Sequence, residues 1–170
     1  MSVAAEARDA LMHDGYGGGG AEQARREFLT FRLGEETYGI DILQVQEIRE
    51  IELVTRIPHV ARFVRGVINL RGAIVPVVDL GLMFGFPQPL ALEKASAIVL
   101  NTDRRLVGLV VSSVCDVIGL AEDEILPPPD LGARTVGAAL KGIGARAGES
   151  ASVLLLDVEH VMQRIREERE

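Results

Sequence analysis

Apolar positions in this chain come in short alternating runs, punctuated by glycine, proline and acidic turns. Phe28, Phe31 and Leu33 begin one such run, Gly34-Glu35-Glu36 reads as a turn, and Thr37 to Asp41 returns as a second strand. Ile42, Val45 and Ile48 recur every third residue, which predicts a short helical segment. Arg49 to Arg56 alternates weakly, and Val60 to Val64 reads as one helical turn before Gly66. Two β-branched runs then flank Asn69-Leu70-Arg71-Gly72, which predicts a hairpin with Gly72 in its turn. Asp79 to Phe84 follows as a short helix capped by Asp79 and ended at Gly85-Phe86-Pro87. Beyond Pro87 and Pro89 the strand pattern restarts at Ala97 to Leu100, Leu106 to Val111 and Val114 to Leu120. Pro127 to Pro129 forces an extended loop, and Leu140 to Ala145 with Ser152 to Leu156 forms another hairpin. Asp157 to Glu168 is the one sustained helix, with Asp157 at its N-cap and Val158, Val161, Met162 and Ile165 as its apolar stripe.

About ten short strands in two groups, with few and short helices, predict a mainly β fold of two small antiparallel barrels. Residues 1–26 read as a tail: Glu6 to Met12 has the pattern of a helical turn, and Gly17 to Gly20 imposes a flexible linker. A single domain made of the two barrels is expected over 27–168.

Composition narrows the function more than the fold. Apolar residues make up 48% of the chain but aromatics only 4%, so the core is aliphatic. The net charge of −7, with no basic stretch to offset it, argues against nucleic acid as a partner. No apolar run reaches the roughly 18–20 residues that span a bilayer, and the N-terminus lacks a secretory pattern. The reading is therefore a cytoplasmic protein with no direct membrane insertion. Cys115 stands between Val114 and Val117 and reads as a small core residue.

Catalytic chemistry finds no foothold. His13, His59 and His160 have no metal-ligand spacing, and no serine stands in a nucleophile motif. Gly142-Ile-Gly144 resembles part of a dinucleotide fingerprint, but a strand follows where that motif needs a helix. No catalytic residue, metal ligand or cofactor is assigned. What remains is Arg71, a guanidinium on a turn, suited to docking a carboxylate rather than to proton transfer. It is either a surface cation paired with Glu47 or Asp79, or a hot spot for a partner.

The motifs also carry a resemblance. Gly66-Val-Ile-Asn-Leu-Arg-Gly72 with Ile74-Val-Pro-Val-Val-Asp-Leu80 resembles the central signature of the CheW family of chemotaxis adaptors. Phe28-Leu-Thr-Phe31, Tyr38-Gly-Ile-Asp-Ile42, Val45-Gln-Glu-Ile48, Val107-Gly-Leu-Val-Val111 and Leu154-Leu-Leu-Asp157 are similar to its other motifs, in order. The resemblance implies two five-stranded SH3-like barrels with a shared apolar interior. It implies a non-catalytic adaptor that couples the cytoplasmic tips of methyl-accepting chemoreceptors to a CheA-like histidine kinase regulatory domain, recruited to membrane-associated receptor arrays. It places receptor binding at Val45, Glu47, Gly66 and Arg71, with Val45 supplying apolar area. It places kinase binding at Ile42 and Leu43 and at the loop containing Leu126, Asp130 and Leu131. Four residues depart from the family pattern: Ala61 replaces a proline, Gly81 an arginine, Ser112 an aspartate and Leu126 a charged residue. The alternative reading is a double barrel that binds a small, purine-type ligand.

Overall fold

The structure is a computed structural model that describes residues 24–102, 105–128, 136–146 and 151–167. The expected tail therefore lies mostly outside the described residues. Its last residues do not: β1 (Arg25–Leu33) starts at Arg25, because Arg25 and Arg26 pair with Ala121 and Leu120 of β8 (Ser113–Ala121). β2 (Glu36–Asp41) completes the hairpin around Gly34, at φ +64°. The Asp41 carboxylate then accepts from the Leu43 N–H at 3.0 Å and starts a 3-10 turn, Ile42–Gln44. The predicted helix ends there. Val45 opens β3 (Val45–Glu50), where a bulge between Val45 and Glu47 produces a spacing that imitates a helical period.

β4 (Val64–Leu70) and β5 (Ala73–Asp79) form the predicted hairpin, followed by α1 (Leu80–Met83). Before it, the expected helical turn is only a tight turn, with Val64 N–H donating to the Ala61 carbonyl at 2.9 Å. β6 (Ser96–Thr102), β7 (Arg105–Val111) and β8 (Ser113–Ala121) match the three predicted strands. β9 (Ile125–Leu126) lies outside the predicted elements, since two residues carry no period. β10 (Leu140–Gly144), β11 (Val153–Leu156) and α2 (Val158–Glu167) complete the chain.

The strands form two sheets, ordered β8-β1-β2-β11-β10-β9 and β3-β6-β7-β5-β4. Each curls on itself. In the first, β8 runs through a 3-10 turn at Glu122–Glu124 into β9, so its two outer strands are one kinked stretch. In the second, a bridge between Thr55 and Val67, with N–H···O contacts of 2.9 Å in both directions, joins the chain after β3 to β4. The result is the expected SH3-like double barrel, with two details added. Two pairs, β2–β11 and β5–β7, are parallel. The barrels also are not successive halves of the chain: β3 to β7 make one, while β1, β2 and β8 to β11 make the other.

One apolar cluster joins both. It contains Phe31, Leu33, Tyr38 and Ile40 of the first barrel, Ile98, Leu100 and Leu109 of the second, and the α2 stripe. All four predicted stripe residues are at most 5% exposed. The Asp157 carboxylate accepts from His160 N–H at 3.3 Å, as a capping residue should.

Cys115 corrects its expectation, for it is exposed. A bulge places Cys115 and Asp116 opposite Thr30 alone, and the Thr30 hydroxyl donates to the Asp116 carbonyl and carboxylate at 2.9 and 2.7 Å. That extra residue breaks the alternation around Val114 and Val117. The native protein is expected to react with DTNB to completion, as fast as a urea-unfolded control. Reaction only after unfolding would return Cys115 to the core.

Candidate protein-docking site

The site is built on the β4–β5 turn. Arg71 and Gly72 both have positive φ, +50° and +89°, and form a two-residue turn of the kind that matches the twist of a hairpin. The Asn69 side-chain oxygen accepts the Gly72 N–H at 2.9 Å. An arginine in this left-handed conformation is uncommon, and it holds the Arg71 Cα at the outermost point of the hairpin.

Arg71 Nη2 donates to Glu47 Oε2 at 2.8 Å. The two ends of this bond differ: the Arg71 side chain is 65% exposed and that of Glu47 only 9%. Arg49 Nη1 stands 3.8 Å from Glu47 Oε1, which is buried and has no hydrogen-bond partner. Asp79, the other candidate partner of Arg71, is taken by Arg65 at 3.2 Å.

Glu47 lies on β3 and Arg71 at the end of β4, the two outer strands of their sheet. Their ion pair therefore links the seam at one place, as the Thr55–Val67 bridge does at another. Gly66 makes that bridge possible. A Cβ there would lie 2.2 Å from the Thr55 carbonyl oxygen, and its φ is +141°. Val45 sits beneath, 1% exposed in the shared core. Three of the four residues assigned to receptor binding thus belong to the seam itself, and the fourth, Val45, packs beneath it. Only Arg71 offers a large exposed surface. The expectation that Val45 supplies apolar contact area is corrected, because its side chain is committed to the core.

The second set divides similarly. Ile42 is 4% exposed and belongs to the core, while Leu43, on the outside of the same 3-10 turn, is 79% exposed. Leu126 on β9 is half-exposed, and Asp130 and Leu131 lie outside the described residues. Ile42 is thus corrected to a supporting residue.

A groove of about 570 Å³ escaped the sequence reading. Its walls include Ile57, Val60, Ile74, Leu106, Met162 and Ile165, with His59, Arg105 and Arg166 and, among the described residues, no carboxylate. Ile74 is 65% exposed although it stands in an unbroken apolar run. Such a run shows that a strand forms but not which face it turns to solvent.

Of the departures from the family pattern, Gly81 acquires a local reason, while Ala61 and Ser112 acquire only a place in the fold. Ala61 lines the groove. Gly81 is buried, and a Cβ there would meet the Phe86 ring at 3.0 Å, so a longer side chain would displace Phe86. Ser112 N–H donates to the Arg32 carbonyl at 3.0 Å where β7 passes to β8. Among the described residues, no three His, Cys, Asp or Glu side chains gather as metal ligands would, and no helix is long and apolar enough to cross a membrane.

Comparison with known proteins agrees with this architecture. The family model for the CheW-like domain matches residues 27–166. A chemotaxis protein CheW of Klebsiella aerogenes is 44% identical over 141 residues, covering 83% of this chain and 84% of that one. A chemotaxis protein CheW of Rhizobium meliloti is 33% identical over 132 residues, covering 78% and 85%. The crystal structure of the scaffolding protein TtCheW from Thermoanaerobacter tengcongensis superposes with a TM-score of 0.71 at 32% identity, covering 78% of this chain and 89% of that one. The double barrel, the motif-bearing seam and these matches together place the chain in the CheW-like family of non-catalytic chemotaxis scaffold proteins.

Proposed function

We propose that the protein couples the cytoplasmic tips of methyl-accepting chemoreceptors to the regulatory domain of a CheA-like histidine kinase, working in the cytoplasm at membrane-associated receptor arrays. The observation that carries this reading is the Arg71 guanidinium, exposed at a hairpin tip and bonded to a buried carboxylate. A receptor tip is a helical hairpin, and a carboxylate on it has in Arg71 a partner for a bidentate contact. Gly66 and Val45 contribute by keeping the seam closed and filled. The kinase contact falls to Leu43 and Leu126, both on exposed apolar surface, and to Asp130 and Leu131 further along the chain. The groove around Ile74 adds a second apolar face for a protein partner. Holding both partners together raises their effective concentration without any chemistry by the adaptor. Among the described residues, the groove walls contain no Phe, Tyr or Trp on which a purine would stack.

Arg71→Ala tests the receptor contact. Affinity for a receptor-tip fragment is expected to fall by about 1–3 kcal/mol, a factor of roughly 5–150. The kinase regulatory domain is expected to bind within about twofold of wild type, since a change that leaves its contacts intact leaves most of its affinity. Because Glu47 then keeps only Arg49, a modest loss of stability accompanies this variant. Arg71→Lys retains the charge without the planar fork, so it should lose receptor affinity while keeping the melting temperature. Unchanged receptor affinity in both variants would remove Arg71 from the site.

A further inference from the structure

The groove beside Ile74 leaves an apolar surface open. Ile57, Val60 and Ile74 on its walls are 41%, 40% and 65% exposed, and Met162 and Ile165 of α2 also line it. Contiguous apolar exposure of this kind marks a docking surface. Arg105 and Arg166 supply its charge, and among the described residues neither guanidinium has a carboxylate partner. A fitting occupant is therefore apolar on one face and acidic beside it.

The chain itself carries such a segment, before the described residues begin. Val3, Ala7, Ala10 and Leu11 recur at the i, i+4, i+7 and i+8 spacing of one helix face, with Glu6 and Asp9 off that face. Over residues 1–14 the carboxylates Glu6, Asp9 and Asp14 outweigh Arg8. The alanines of the apolar face allow close approach to branched side chains such as Ile57 and Ile74. A helix below about 12–15 residues is marginal alone in water, so this one needs a surface to form on.

The topology brings the two within reach. Phe28 of β1 pairs with Asp41 at the end of β2, where Arg26 Nη2 lies 3.2 Å from the Asp41 carboxylate. β11 runs parallel beside β2, with Leu155 opposite Gly39, and leads directly into α2. The chain thus enters β1 at the same end of the barrel from which α2 departs. Two strand spacings of about 5 Å and a helical rise of about 12 Å from Asp157 to Ile165 put the groove roughly 20 Å from that entry. The glycine-rich chain from Leu11 to Ala24 has a root-mean-square span of about 20 Å.

We infer that residues 3–11 dock as an amphipathic helix in the groove of their own molecule, apolar face inward and carboxylates toward Arg105 and Arg166. Tethering at this length gives the segment an effective concentration in the millimolar range, so a weak contact suffices to keep the groove covered. A partner that uses the groove must displace the segment first. The inference stands on the groove, the segment and their separation, and does not depend on the receptor-docking reading.

Paramagnetic relaxation tests it on the full chain, with Cys115→Ser and a nitroxide attached through Ser2→Cys. Isoleucine methyl signals should broaden several-fold more at Ile57, Ile74 and Ile165 than at Ile118 and Ile125. The last two lie beside the entry of β1, where Ile118 pairs with Phe28 and Glu124 contacts Arg25. Leu11→Asp and Arg105→Glu should each reduce the broadening at the groove, while Leu11→Met should keep it. Broadening strongest at Ile118 and Ile125 would show an undocked segment and overturn the inference. So would groove broadening that survives either disruptive substitution. In a mixture of spin-labelled chains with isotope-labelled, spin-free chains, the groove signals should stay sharp. Broadening there would make a second copy the occupant and overturn docking within one molecule.

Discussion

Gly66→Val is expected to be among the most damaging single substitutions in the second barrel. A side chain at this position would begin 2.2 Å from the Thr55 carbonyl oxygen and 2.7 Å from Val54 Cγ1. The first obstacle is backbone, which cannot swing aside as the end of a side chain can. Relief requires the segment around Thr55 to move off β4, breaking both 2.9 Å contacts with Val67. The φ of +141° adds strain for any residue with a Cβ. Together these amount to about 3–5 kcal/mol, or a fall of roughly 10 °C or more in melting temperature. Hydrogen exchange should show the Val67 amide losing protection first. A variant that melts within about 2 °C of wild type would show that the segment moves aside freely. Receptor affinity should fall with the seam, which makes the role of Gly66 architectural.

The second large effect is expected at Asp79. This carboxylate is 0% exposed yet accepts three hydrogen bonds: from Leu82 N–H at 3.0 Å, from Leu90 N–H at 2.8 Å and from Arg65 Nη1 at 3.2 Å. It caps α1, ties the segment at Leu90 to the hairpin, and neutralises a guanidinium whose side chain is 18% exposed. Asp79→Ala leaves two N–H groups and a charge without their acceptor. The cost is expected at about 3–5 kcal/mol in urea denaturation, with Asp79→Asn losing less because it retains the cap. A loss below about 1 kcal/mol for the alanine variant would mean that water replaces the carboxylate easily.

Asp79 was legible in the sequence as a cap, because an N-cap follows from residues close along the chain. The β4–β5 hairpin and the α2 stripe were legible for the same reason. What escaped depends on pairing at a distance or on an inserted residue. The bulge between Val45 and Glu47 made a strand read as helix, and the bulge opposite Thr30 made Cys115 read as core. Glu47 was legible as one of two candidate partners of Arg71, but its burial was not, nor which of the two acids the arginine bonds, because the pair lies 24 residues apart along the chain. Periodicity carries no information about such a pair. Nor does it separate Ile42 from Leu43, adjacent apolar residues that a 3-10 turn sends to opposite environments.

The interleaving of the barrels has a consequence for how the chain acquires its shape. Residues of β3 to β7 are contiguous, so that barrel can close once Val111 has been synthesised. The β1–β2 hairpin is made earlier but must wait for β8 on one side and β11 on the other. Joining β1 to β8 closes a loop that contains the whole second barrel, and a loop already folded inside is far shorter, in entropic terms, than a free one. The order of synthesis and the order of completion are thus reversed for the first two strands. Until Leu156 pairs, Phe28 and Leu155, which share a small core cluster, remain apart, so a prematurely ended chain displays an apolar hairpin beside a finished barrel.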